Sequence, residues 1–282
     1  MGTARKKDVL ELPFSFNKNR PFWKFSVLAA SIIVLTLGYL FIRSTLTPKD
    51  YVYAQVKISQ GSWWVVAQKP SIWFIQNLNA GEKQQTLLGG VDAEIIETRY
   101  YPFKSDAHKF ETEYSIYVLA RLSVETTGGR YIFNRKPIAV GSEINLTFPS
   151  VQFAGTIISL NPELPKDELT EKTIVLTKKL AYPWEYDMVK AGDTQFDGVD
   201  SVFEVTSKSF RDTYTLRQDV YGNTAYQSPE RRIYLTVTGK IKVRQEGGNL
   251  IFGEEQILKP GSEIDLATEG FVFSQFYVAD IR

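Results

Sequence analysis

The chain has 282 residues, 33 basic and 32 acidic side chains, 43% apolar residues, a single histidine and no cysteine. A near-neutral balance gives no electrostatic reason to bind nucleic acid, which needs clustered positive charge. Without cysteine there is no disulfide framework, thiolate metal site or cysteine nucleophile.

Residues 1–24 form a basic tail, in which Arg5, Lys6, Lys7, Lys18, Arg20 and Lys24 outnumber Asp8 and Glu11. An uncharged apolar run follows from Phe25 to Ile42. As a helix it would measure about 27 Å, close to the ~30 Å hydrocarbon core of a bilayer. Lys24 and Arg43 bracket it, and Phe22 and Trp23 lie where an interfacial aromatic belt belongs. These features predict a transmembrane signal anchor over 25–43 that contacts lipid through Phe25–Ile42. The basic tail stays in the cytoplasm, and the C-terminal part is exported across an inner membrane. Cleavage is not expected, because Ile42-Arg43-Ser44 is not a small-x-small site.

Beyond the anchor the apolar period is two. Tyr51–Ile58, Ile116–Glu125, Glu143–Phe148, Val202–Thr206 and Ile233–Arg244 alternate as half-buried antiparallel strands do. The pattern occurs twice. A strand beginning Ile116-Tyr117-Val118 leads to Gly128-Gly129, Tyr131-Ile132-Phe133, Ile138 and Gly141-Ser142-Glu143-Ile144. One beginning Ile233-Tyr234-Leu235 leads to Gly247-Gly248, Leu250-Ile251-Phe252, Ile257 and Gly261-Ser262-Glu263-Ile264. Upstream, Trp73 and Ala80-Gly81-Glu82 match Trp184 and Ala191-Gly192-Asp193, and Gly90-Val91-Asp92 matches Gly198-Val199-Asp200.

The expected fold is mainly β: one transmembrane helix, then two tandem small antiparallel β-barrel or sandwich units, each with one short helix. The units are read as 44–160 and 173–282, joined by a polar, proline-bearing linker at 161–172. Pro70 and Pro183 open the short helices, which Gly81 and Gly192 terminate. The matched Trp73 and Trp184 are expected in the cores.

The ending Gly-Gly-x-x-Ile-Phe, Ile, Gly-Ser-Glu-Ile, with the Ala-Gly-Asp and Gly-Val-Asp turns before it, resembles the bacterial single-pass membrane family called domain of unknown function 4330, in tandem copies. The resemblance implies one N-terminal membrane helix and an exported β domain, covering most of 51–282, and implies no activity. The stretch from Ser62 to Phe74 and the long segment after Phe210 depart from its pattern.

No catalytic set is legible. His108 sits in a polar loop, and no Gly-x-Ser-x-Gly elbow accompanies it. Asp92, Glu94, Asp193, Asp197 and Asp200 recur between the halves, and acids beside glycine ordinarily make turn hydrogen bonds. We expect no catalytic residue, metal or cofactor. The remaining signal is aromatic and arginine-rich. Trp63-Trp64 has no counterpart in the second unit, and adjacent strand residues face opposite sides, so one is expected to be exposed. The segment 211–232 is longer than its counterpart and carries Arg211, Tyr214, Arg217, Tyr221, Tyr226, Arg231 and Arg232, residue types that interfaces favour. Three readings follow: an anchored envelope protein that binds an envelope partner or itself, a tethered glycan- or peptidoglycan-binding module, and an anchored hydrolase.

Overall fold

The computed structural model describes residues 21–46, 50–58, 72–86, 89–103, 113–166, 168–218, 221–222, 224–227 and 231–282. The chain divides into two units, Met1–Lys49 and Asp50–Arg282.

In the first unit, helix α1 spans Pro21–Leu46. Its side chains are described from Phe25 to Tyr39, and every one of them is exposed. Among the described residues no helix is long and apolar enough to cross a membrane. The transmembrane span read from the sequence is therefore not established by this helix.

The second unit is β-rich, as the period of two requires. Its first lobe contains β1 (Asp50–Ile58), α2 (Ile72–Ile75), β2 (Lys83–Gln85), β3 (Val91–Phe103), β4 (Glu113–Thr127), β5 (Arg130–Phe133), β6 (Lys136–Ile138), β7 (Glu143–Thr147) and β8 (Gln152–Asn161). Its antiparallel sheet runs β2-β3-β4-β1-β8-β7, with β5 and β6 continuing from β4. The second lobe contains β9 (Leu169–Ala181), α3 (Pro183–Met188), β10 (Thr194–Phe196), β11 (Ser201–Asp212), β12 (Thr215–Gln218), β13 (Thr224–Gln227), β14 (Ile233–Glu246), β15 (Asn249–Phe252), β16 (Gln256–Leu258), β17 (Leu266–Ala267), β18 (Val272–Phe273) and β19 (Tyr277–Ile281). Here β10, β11, β14, β9 and β19 pair in that order, and β15 and β16 continue from β14.

The alternation puts one face of each sheet into its own core. Val52, Ala54 and Val56 of β1 meet Ile116, Val118 and Ala120 of β4 in the first core. Ile174 and Leu176 of β9 meet Leu235, Val237 and Ile241 of β14 in the second.

Corresponding backbone hydrogen bonds hold the two lobes. Gly81 N–H donates to Ile95 O at 2.7 Å, and Gly192 N–H to Val205 O at 2.8 Å. Gly141 N–H donates to Ile157 O and Gly261 N–H to Val278 O, both at 2.7 Å. All four glycines have φ near +90°, where a Cβ is strained. A glutamine joins separated strands in each lobe: β2 to β7, the two ends of the first sheet, and β10 to β17, which pairs with β18 in a small sheet of its own. Gln84 Oε1 accepts the Thr147 N–H at 2.9 Å, and Gln195 Oε1 accepts the Ala267 N–H at 3.0 Å.

Three sequence expectations change. Trp73 and Trp184 are 61% and 56% exposed and not core residues, because the short helices α2 and α3 bury Ile75 and Glu185 instead. Helix α3 starts at Pro183 as expected but ends at Met188, capped by Val189, with Gly192 in the following turn. Gly90-Val91-Asp92 and Gly198-Val199-Asp200 are not equivalent. Val91 already pairs with Gln85 in the sheet, whereas Val199 and Asp200 form the turn before β11.

Candidate functional site

Two places gather unusual chemistry: the junction between the lobes, and the end of the second lobe that carries 211–232.

The junction begins with a β-bulge. The pairing of β3 with β4 shifts between Ile95 and Glu97. Beyond the shift, Tyr100 packs against the first core while Arg99 and Tyr101 point outward. There they are buried by the second lobe. Asp197, fully buried in the β10–β11 turn, uses every polar atom. Its Oδ2 accepts Arg99 Nη1 at 2.7 Å and Tyr101 Oη at 2.9 Å, and its Oδ1 accepts the N–H groups of Val199 and Asp200. Its carbonyl accepts the Tyr100 N–H, and its own N–H donates to Asp200 O. Tyr101 and Tyr117 from the first lobe are packed in the second core, with Tyr101 edge-on to Phe252 at 5.6 Å. Burial raises both phenols above their ordinary range, with Asp197 adding to Tyr101 and Glu255 to Tyr117.

A cleft of about 730 Å³ opens beside this junction, with Gln55, Leu119, Ile158, Lys166, Glu246 and Glu255 among its walls. Its carboxylates already have cations. Glu255 pairs with Lys57 at 2.5 Å, Glu254 with Arg244 at 2.9 Å and Glu97 with Arg99 at 3.2 Å.

The second place was nominated by the sequence. Among the described residues strands β12 and β13 pair only with each other, Thr215 opposite Gln227 through Gln218 opposite Thr224, so part of 211–232 is a hairpin. Its two ends are fastened. The buried Thr213 hydroxyl donates to Lys179 O at 2.6 Å, and Arg232 Nη1 donates to Leu180 O at 2.9 Å. Tyr214 is exposed at the base, and Tyr221, 87% exposed, stands at the turn.

Arg211 lies over the ring of Tyr234 at 4.3 Å. Arg232 lies over Tyr182 at 3.2 Å and donates to its hydroxyl. Tyr182 stacks in turn with Trp184, centroids 6.2 Å apart. Arg231 adopts φ 58° ahead of β14. The structure thus brings Arg211, Arg231, Arg232 and Tyr214 to neighbouring strand ends. The side chains of Arg217 and Tyr226 lie outside the described residues, as do Trp63, Trp64 and His108.

The recurring acids do structural work. Asp193 accepts the Lys190 N–H, Glu94 pairs with Arg121, and Asp200 pairs with Lys242 at 3.3 Å. Among the described residues no group of acids and histidines is arranged to hold a metal. Lys178 is held by the buried Glu185 at 2.5 Å. Sequence reasoning missed Arg99, Tyr101, Tyr182 and Tyr234. The one available signal was Arg99 and Tyr101 at alternate positions of a strand, side by side on one face.

No known protein family, curated protein or solved structure matches this chain.

Proposed function

We propose that this chain is a single-pass envelope protein whose exported β unit binds a partner protein through the segment 211–232. The observation that carries the reading is the β12–β13 hairpin. Among the described residues it pairs with no other strand, yet both of its ends are fixed to β9, through Lys179 and Leu180. A fixed hairpin with exposed tyrosines offers contact area at low ordering cost.

The anchor rests on the sequence, with its uncharged run from Phe25 to Ile42 behind a basic tail. The exposed apolar side chains of α1 are in keeping with it. The basic bias keeps the tail inside and puts the β unit in the periplasm or outside the cell. We read the two lobes as tandem copies of one unit, because the same glycine and glutamine hydrogen bonds recur in both. The resemblance to domain of unknown function 4330 stands on the turn-and-strand motifs alone. Binding is favoured over hydrolysis because the sequence offers no catalytic set, and the part-buried Lys178 is held in an ion pair by Glu185. A glycan-binding reading has one observation in its favour: the exposed, stacked Tyr182–Trp184 pair is a platform on which a sugar face could lie.

The test replaces Leu216–Gln227 with a short polar turn. Thermal stability should stay within about 1 kcal/mol, since surface changes away from packing rarely cost more. Recovery of crosslinked partner should fall. Full partner recovery by the shortened chain would refute the assignment of the hairpin.

A further inference from the structure

We infer that the end of the second lobe recognises a carboxylate in an acidic protein segment, through Arg211 and Arg232. The inference rests on the docking reading above and adds the chemistry of the partner.

The molecule carries its own template. At the junction, an Arg–Tyr pair at the end of β3 seats the carboxylate of Asp197 in a tight turn. The pairing registers locate the matching place in the second lobe. Ile95 of β3 corresponds to Val205 of β11, since each accepts the hydrogen bond from its lobe's turn glycine, Gly81 or Gly192. Both strands then shift register by one residue, so Tyr101 opposite Ser115 corresponds to Arg211 opposite Tyr234. That strand end thus has Arg211 where the first lobe has Tyr101 and Ser209 where it has Arg99, and its arginine and tyrosine, Arg211 and Tyr234, face each other across a strand pair and not along one strand. In the first lobe that end is covered by the second lobe. In the second lobe it adjoins the hairpin, and Phe210 and Tyr214 there are exposed.

Charge separates these arginines from others in the unit. Arg99, Arg121, Arg244 and Arg282 each meet a carboxylate. Arg211 and Arg232 meet none among the described residues and rest on tyrosine rings. A ring beneath a guanidinium fixes its plane. Arg232 already gives one N–H to Leu180 O and one to the Tyr182 hydroxyl, so its remaining N–H groups and those of Arg211 are the donors a carboxylate would meet. Arg231, Lys179 of β9 and Lys208 of β11 add to these two arginines, and together they outnumber Asp212 and Glu230, the acids nearest to Arg211 and Arg232 in sequence, so the surface favours an anion. Paired guanidinium groups at neighbouring strand ends suit carboxylates spaced along a peptide.

The probe is a fluorescent peptide of alternating glutamate and glycine, with its glutamine counterpart as control. Both are titrated by anisotropy against the full chain in detergent. Saturable binding of the glutamate peptide alone is expected. It should weaken about tenfold, a loss of about 1.4 kcal/mol, in Arg211→Gln/Arg232→Gln, and should weaken again at about 0.3 M salt. Arg211→Lys/Arg232→Lys keeps the charge, so an intermediate loss would report the planar contacts. Equal binding of the glutamine peptide, or unchanged affinity in both arginine variants, would overturn the inference. So would tighter competition by glycerol phosphate than by the acidic peptide, which would assign the surface to lipid headgroups. The hairpin-shortened chain keeps both arginines and should keep the peptide. That result would stand even if partner recovery were unaffected by shortening, which would sink the hairpin reading alone.

Discussion

Asp197 is the residue on which the arrangement of the two lobes turns. A fully buried carboxylate is tolerable only when its lone pairs are filled, and here a guanidinium, a phenol and two backbone N–H groups fill them. Removing one partner leaves the other charge buried. Asp197→Ala should therefore cost about 3 kcal/mol and lower the melting temperature by roughly 6–12 °C, measured by calorimetry. A loss of only a few tenths would mean that water or Asp200 replaces it.

Tyr101 gives the junction a pH dependence of definite sign. Its folded-state pKa lies above the unfolded value near 10, so folding favours the neutral phenol. That contribution is complete below pH 10 and is lost as pH climbs beyond it. Tyr101→Phe should cost stability at neutral pH and flatten the alkaline fall, read from urea midpoints between pH 7 and 11. An unchanged alkaline limb in Tyr101→Phe would place the titration elsewhere.

Turns divide into those that only bend and those that also touch. Gly81 has φ +85° and open space around it, whereas Gly198 has φ +105° and an added Cβ would overlap the Thr98 carbonyl of the other lobe. Gly81→Ala should cost about 1 kcal/mol from backbone strain alone. Gly198→Ala should cost about 2 kcal/mol or more, because the strain is joined by displacement of the junction. Equal losses in chemical denaturation would show that the two lobes separate easily.

The strands and hairpin glycines were legible because period two and Gly-Gly turns are local signals. The turn at Gly128-Gly129 and that at Gly247-Gly248 have the paired positive φ values a two-residue hairpin requires. Arg99 and Tyr101 were hidden because a bulge reverses which face of β3 is the core face, and bulges have no sequence signature here. Trp73 and Trp184 misled because matching letters in two repeats do not say whether packing or exposure keeps them. The Gly-Val-Asp match failed for a related reason: a turn of different length puts the same three letters at different places in the strand pairing.

The β unit is one body built from two cores, with Tyr101 and Tyr117 of the first lobe packed into the second. Such shared burial makes the surfaces at the junction unavailable, and leaves the far end of the second lobe as the place where the same strand geometry meets solvent. The candidate site was legible in the sequence as an arginine- and tyrosine-rich insertion. Its companions Tyr182 and Tyr234 were not, because strand pairing between β9, β14 and β11 brings them there from outside the insertion. We propose that this end binds a partner protein. It is tested by photocrosslinking in cells from p-benzoylphenylalanine placed at Tyr214 or Tyr221, with Asn145 of the first lobe and Lys166 between the lobes as controls. A discrete protein adduct from 214 and 221, absent from 145 and 166, is the expected result. Adducts from the controls with none from 214 or 221 would contradict it.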